Sequence, residues 1–270
     1  ALVNGRISKH SYKRWRRVPG LIRALLARFD HISTQSHKDE QRLAALGPYN
    51  TVCYGNMKAD VSPAPVSHKI LLELNQQIGR RRFWLAASTH KGEEEIIVEC
   101  HKILKAEFPD VLTIIVPRHR QRAADISALI GAHNFSVATR SSGNAIVTDT
   151  DIYLADTLGE LPLFYELSPV SFIGGHNPIE AIDGNSAVLH GPHVKNFKDI
   201  YDLLDRQAGA IEIANCAELA KEVETLFNSR KKAAAIIASG RAQADTLKGA
   251  TKKTAKALLA LLDKQKRRNN

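Results

Sequence analysis

The stretch SFIGGHNPIEAI, residues 171–182, follows an apolar run with Gly174 and Gly175, then sets His176, Asn177, Pro178, Ile179 and Glu180 in succession. Core packing does not ask for that order, whereas a helix start beside a ligand does. Asn177 suits the N-cap, Pro178 the first helical position, where its missing N–H costs nothing, and Glu180 the third. The two glycines would leave amides open to a crevice, and a helix start attracts phosphate through its unpaired N–H groups and its dipole. Glu180 would repel phosphate, so it reads as an acceptor for a ribose or sugar hydroxyl pair. Its alternative role is to close a capping box back onto Asn177.

Three further groups share this build. Ser88, Thr89 and His90 precede Gly92 and two glutamates, which is either a ligand loop or a plain S/T-x-x-E capping box. Pro117 and Arg118 follow the run VLTIIV, and an arginine directly after a buried strand suits phosphate or carboxylate. Solvation of a helix end also accounts for Arg120 and Arg122. Asp156 and Thr157 follow DIYLA and lead into Leu158, Gly159 and Glu160. No G-x-G-x-x-G, Walker A, H-E-x-x-H or G-x-S-x-G pattern occurs, which weakens dinucleotide, P-loop, zinc-protease and serine-hydrolase readings. His119, His176, His190 and His193 fit no usual metal spacing, so neither metal nor cofactor is expected. What remains is a nucleotide held by amides, an arginine and a ribose-binding glutamate.

The elements that must position these groups are legible in the periodicity. From Phe83 onward, FWLAAS, VLTIIVP, DIYLAD, PVSFIGG, SAVLHG and AIEIAN alternate with helical segments: EEEIIVECHKILKAEF, RAADISALIGAH, ELPLFYEL, PIEAID, FKDIYDLL and the C-terminal stretch. Such alternation predicts an α/β fold with a parallel sheet covered on both faces, and the near-continuous apolar runs agree. Ligands of such sheets bind outside the carboxyl ends of the strands, where all four groups fall. Before residue 60, FDHIST, HKDEQRLAAL with Gly47 as a stop, and TVCYGN repeat the pattern in brief, and DVSPAPVSHK separates them from the rest. The last fifty residues predict two or three helices broken near Gly240 and Gly249. Residues 1–60 thus read as the closing part of one α/β domain, 61–240 as a second, and 241–270 as C-terminal helices.

With 44% apolar and 24% charged residues over 270 positions, the chain has the composition of a soluble globular protein. It has no run of about 18 apolar residues, and its first residues do not read as a signal peptide. Cys53, Cys100 and Cys216 show no C-x-x-C pairing, which argues against a disulfide framework and makes a reducing cytoplasm the default. The formal charge of +10 is uneven: residues 1–28 hold eight Lys or Arg and no acid. Such a patch favours an anionic partner, either a membrane surface, a phosphorylated substrate or nucleic acid, unless it is only a solvated helix face. Nothing but charge supports nucleic acid, which is not expected as a partner.

ASTHKGEEE, VPRHRQR, ADTLGELPLFY, GGHNPIEAI and GPHVKNF, in this order and spacing, resemble the 3-deoxy-D-manno-octulosonic acid (Kdo) transferases of glycosyltransferase family 30. VNGRISKHSYKRW, FDHISTQSHKDEQRLAALG and GNMKAD look like family segments too. The resemblance implies a GT-B fold of two Rossmann-like, doubly wound domains. The donor domain would be complete here and the acceptor domain only partly present. It implies transfer of Kdo from CMP-Kdo to a phosphorylated lipid A precursor, lipid IVA, in lipopolysaccharide core biosynthesis. The reaction would be inverting and metal-independent, at the cytoplasmic face of the bacterial inner membrane. Carried over by motif, CMP contacts fall on Pro117, Arg118, Leu158, Gly159, Glu160, Asn177, Pro178, Ile179 and Glu180. Ser88, Thr89, His90, Gly174, Gly175 and His176 are further donor-side candidates, and Asn4 and Arg6 are acceptor-side candidates. Lys58 of GNMK matches the lysine that supports the departing phosphate.

Two departures from the family pattern bear on this. The family's general-base glutamate and membrane anchor belong to a region before Ala1, so the alternative to a transferase is a CMP-binding, catalytically incomplete fragment. The family also usually carries two Gly-Gly groups separated by a short loop, whereas here Gly174 and Gly175 run straight into His176. Either that loop is deleted or a mobile glycine-rich segment stands outside the sequence.

Overall fold

The computed structural model describes residues 1–47, 50–60, 64–194 and 196–269. Residues 61–63 of the expected separator and Lys195 of GPHVKNF lie outside the described residues. Internal packing divides the chain into two units, Ala1–Ser62 with Ala244–Asn270, and Pro63–Gln243.

The first unit opens with β1 (Leu2–Gly5), α1 (Lys9–Trp15), α2 (Pro19–Leu26), β2 (Ile32–Thr34), α3 (His37–Ala44) and β3 (Thr51–Cys53). The strands form a parallel sheet in the order β1-β2-β3. Local chemistry explains the helix starts. Ser8 Oγ accepts from Ser11 N at 3.0 Å and Pro19 opens α2, where a missing N–H is harmless. Ser36 Oγ accepts from Asp39 N at 3.2 Å, while Asp39 Oδ1 accepts from Ile7 N at 2.9 Å. Ile7, Ile22, Leu26, Ile32, Leu43 and Leu46 form the core beneath. β1 is an addition to the elements expected from the sequence.

The second unit contains α4 (His68–Ile78), β4 (Phe83–Thr89), α5 (Glu93–Glu107), β5 (Leu112–Pro117), α6 (Ala123–Ala132), β6 (Val137–Thr139) and β7 (Ile152–Leu154). It continues with α7 (Leu161–Leu167), β8 (Val170–Ile173), α8 (Ile179–Asp183), β9 (Ala187–His190), α9 (Lys198–Arg206), β10 (Ile211–Glu212) and α10 (Cys216–Asn228). Seven parallel strands stand in the order β10-β9-β8-β4-β5-β7-β6. β4 and β5 are buried along almost their whole length, which explains their unbroken apolar sequences. One core face gathers Trp84, Ala86, Ile115, Leu154, Phe172 and Leu189 against α5, α6 and α10. Each fully buried Ile or Leu of this kind contributes roughly 1.5–3 kcal/mol.

From β4 the chain moves to β5 on one side, and it later returns to β8 on the other. The carboxyl ends of β4 and β8 therefore flank the topological switch point, where a doubly wound sheet leaves a crevice.

Two long helices close the chain, α11 (Arg230–Leu247) and α12 (Ala250–Asn269). The expected break near Gly240 does not occur, since α11 runs through it. A Cβ at Gly240 would stand 3.0 Å from Gly209 O and 3.3 Å from the Ile182 side chain, so the glycine serves close approach rather than termination. Gly249, at φ +98°, is where the chain breaks. Beyond it, Asp60 accepts from Gly249 N and Thr251 N, each at 2.5 Å, which ties the start of α12 to the turn Met57–Asp60.

Candidate functional site

Four loops gather at the carboxyl edge of the seven-stranded sheet. The β4 end is distorted: its register against β5 shifts between Ala87 and Thr89, and Ser88 has φ +55°, unusual for a residue with a side chain. Gly174 N donates to Ala87 O at 2.9 Å and Arg118 N to Thr89 O at 3.0 Å, which joins the β8 and β5 ends to this bulge. The rings of His90 and His119 stand edge to face at 6.3 Å.

Neither Ser88 nor Thr89 caps α5, whose N-cap is Gly92. Thr89 Oγ1 instead donates to Glu94 Oε1 at 2.9 Å, and Arg122 Nη1 reaches the same oxygen at 2.6 Å. Glu94 is fully buried, so Arg122 is a structural partner and its expected role as a solvated helix end is corrected. Arg118, two residues after the strand's last buried valine, is exposed, and no described residue pairs with its guanidinium.

The Gly174-Gly175 junction also differs from expectation. Both amides are engaged, Gly174 N on Ala87 O and Gly175 N on Ile173 O at 2.8 Å, so neither is open to a ligand. The glycines are required by packing. A Cβ at Gly174 would lie 2.4 Å from Glu93 Oε2 and 2.5 Å from Ser88 O, and one at Gly175 2.4 Å from His193 O. Gly175 also takes φ +64°. The chain is continuous through this junction into His176, whose carbonyl accepts from Tyr201 Oη at 2.9 Å.

α8 begins one residue later than the spacing suggested, with Pro178 at the cap and Asn177 Oδ1 accepting from Ile179 N at 3.3 Å. The helix has only five residues, so its dipole is small. Glu180 does not return to Asn177 as a capping box would require. Among the described residues no donor reaches its half-buried carboxylate. Burial pushes its pKa above the usual carboxylate range and neighbouring Asp183 adds to the rise.

Glu160 is the opposite case. Arg140 Nε and Nη2 donate to its two carboxylate oxygens, each at 2.5 Å, and Thr157 Oγ1 donates as well. The Arg140 bonds hold its pKa below the usual range against the effect of partial burial. Gly159 turns with φ +81°, and Leu158 is 73% exposed. A small open pocket adjoins the loop, lined by Val66, Ile70, Gly159, Glu160, Pro162 and Leu163.

Lys58, Asn4 and Arg6 belong to the first unit. Lys58 is exposed on the turn Met57–Asp60. Asn4, at φ +54°, accepts from Met57 N at 3.1 Å through Oδ1, so its side chain shapes that turn. Arg6 follows β1 and is exposed. Residues that the sequence did not single out also build the site. Arg140 is one, and no local signal marks it because its partner lies twenty residues on. His190, whose spacing fits no usual metal site, sets Nδ1 on Gly191 O at 2.8 Å and Nε2 on Asp205 at 3.0 Å.

A doubly wound parallel sheet with its loops gathered at the switch point is the nucleotide-domain architecture of GT-B glycosyltransferases. Solved structures agree. A trehalose-phosphate synthase from Burkholderia vietnamiensis, 13% identical, matches the fold over 97% of this chain and 66% of its own with a TM-score of 0.56. The C-terminal CMP-Kdo binding domain of WaaA from Acinetobacter baumannii is 28% identical, with 66% of this chain and 96% of that domain covered and a TM-score of 0.61.

The family model for 3-deoxy-D-manno-octulosonic-acid transferase (kdotransferase) matches residues 1–61. The 3-deoxy-D-manno-octulosonic acid transferase of Rickettsia felis is 33% identical over 233 residues, 84% of this chain and 50% of its own length. That of Haemophilus influenzae is 31% identical over 241 residues, 85% of this chain and 56% of its own. The chain is thus a relative of the Kdo transferases, as its motifs indicate, and it spans about half the length of the curated relatives it matches.

Proposed function

We propose that this protein serves the transfer of Kdo from CMP-Kdo to a phosphorylated lipid A precursor, lipid IVA, in lipopolysaccharide core biosynthesis. In this reading the second unit binds the donor nucleotide and the first unit belongs to the acceptor domain. The observation that carries it is that, at one switch point, an exposed Arg118 and a half-buried Glu180 have no partner for their charged groups among the described residues. Arginine suits the phosphate of CMP, and an ionised Glu180 accepts from the ribose hydroxyls. Pro117, Leu158, Gly159, Asn177, Pro178 and Ile179 complete the CMP contacts, with Ser88, Thr89, His90, Gly174, Gly175 and His176 as the surrounding frame.

The reaction we propose is inverting and metal-independent. A carboxylate base takes the proton of the acceptor hydroxyl, whose oxygen bonds to the anomeric carbon from the face opposite CMP. The bond from that carbon to the phosphate oxygen breaks, and its electron pair leaves with CMP. Cationic groups answer the growing charge, which is the role we give Lys58 and Arg118. The general base is not assigned to any of the 270 residues.

The acceptor and location follow the charge. Arg14, Arg16, Arg17 and Arg28 are exposed around Val18, Leu21 and Leu25, which are also exposed. This mixture suits an anionic membrane surface at the cytoplasmic face of the inner membrane, with Asn4 and Arg6 toward the acceptor. Among the described residues no helix is long and apolar enough to cross a membrane. Calorimetry of this chain with CMP, and with UMP as the control, tests the donor site. Binding of CMP is expected, and its absence overturns the reading. Product formation from CMP-Kdo and lipid IVA by the same protein tests the transfer step.

A further inference from the structure

The loop Asp156–Glu160 is gripped twice by one short turn, Arg140–Ser142. Asp156, buried at the end of β7, accepts from Ser141 N at 2.9 Å and from Ser141 Oγ at 2.6 Å. Glu160, at the other end of the loop, takes the fork of Arg140 on both oxygens. Arg140 is itself fixed from behind, since its Nη1 donates to Tyr153 Oη at 3.2 Å and its guanidinium lies 5.8 Å from the Phe164 ring centre. Both grips are two-point contacts, the geometry that fixes orientation as well as distance.

Between the grips the chain is unsupported. Among the described residues nothing bonds to the main-chain N–H or C=O groups of Leu158 and Gly159. The Glu160 carboxylate, by contrast, already accepts three bonds, two from Arg140 and one from Thr157, of the roughly four it can take. Gly159 holds a left-handed turn, φ +81°, and a Cβ built on it would meet nothing within 4 Å, so the space beside this main chain is open.

Resting on the donor reading above, we propose that Arg140 is a positioning residue for the nucleotide. It clamps Glu160 so that the main chain of Leu158 and Gly159 is held ready to read the pyrimidine edge. Cytosine presents its N4 amine donor beside the N3 acceptor, so a C=O held opposite N4 and an N–H held opposite N3 fit it. Uracil sets an acceptor and a donor at those same two positions and bonds only if the loop shifts. Glu160 then acts through the loop and not through its carboxylate on the ligand.

The test uses the full 270-residue chain with Arg140→Ala and Arg140→Lys, read by CMP and UMP calorimetry and by amide hydrogen exchange. The expected result for Arg140→Ala is about tenfold weaker CMP binding and a reduced CMP-over-UMP preference. Exchange should quicken at residues 157–160 while amides in β4 and β8 keep their protection. Arg140→Lys, which keeps the charge but not the fork, should recover only part of the affinity. A merely structural arginine would not change the CMP-to-UMP ratio. Wild-type affinity and preference in both variants, with wild-type CMP binding intact, overturns the proposal. No CMP binding by the wild type overturns the donor reading on which it rests, a separate and distinguishable failure.

Discussion

Glu160 and Glu180 are the same residue type, each shortly after a glycine turn at the carboxyl edge of the same sheet, yet their surroundings are opposite. Glu160 has both oxygens bonded by Arg140 and a pKa held below the usual range. Glu180 has no donor among the described residues and a pKa pushed up by burial. The family resemblance implies nucleotide contact for both, but their hydrogen bonding differs: the Glu160 carboxylate is held by Arg140 and Thr157, and the Glu180 carboxylate accepts from none of the described residues.

The comparison can be broken at its frame, and the largest effect is expected there. Gly175→Ala places a Cβ against His193 O in a left-handed backbone. It should lower unfolding free energy by roughly 2–4 kcal/mol, measured by urea titration. A loss below about 0.5 kcal/mol would show that the junction relaxes freely. Glu160→Gln comes next. It should cost about 1–2 kcal/mol of stability, discounted because the pair is partly exposed. Stability equal to wild type would remove the distinction from Glu180.

Glu180→Gln should leave the urea midpoint nearly unchanged and weaken CMP binding about tenfold, equivalent to about 1.4 kcal/mol. Unchanged affinity would end the ribose assignment. The smallest effect is in pH. Because the folded-state pKa of Glu180 is raised, the folded protein holds this proton more tightly than the unfolded chain. Its contribution to stability is therefore greatest at low pH and declines as pH rises from the usual carboxylate pKa through the raised one. CMP affinity should move the other way and grow a few-fold across the same window as the acceptor ionises. In Glu180→Gln both slopes should flatten, and a slope that persists assigns it to another group.

The sequence made the sheet readable because strands buried on both faces leave long apolar runs such as LTIIVP. It did not disclose β6, a short edge strand whose Val137 and Thr139 are only half buried, nor α4, whose start lies beside a Pro-rich segment. The crevice was legible because cap residues and glycines collect at strand ends. The inner workings of the site were not. Gly174 and Gly175 look the same in sequence whether they free an amide or admit a neighbour, and only the Cβ distances separate the two cases. Arg122 likewise looks like surface charge until Glu94 is found beneath it.

The bond between Asp60 and the start of α12 joins residues 189 positions apart. A ribosome adding roughly 5–20 residues per second needs about 10–40 s to make that interval. During that time the turn bearing Lys58 is already synthesised but lacks the amides of Gly249 and Thr251. The second unit, whose strands lie wholly within the interval, is made before they arrive. The earlier-made segment of the first unit is therefore completed as structure only after the whole second unit has been synthesised.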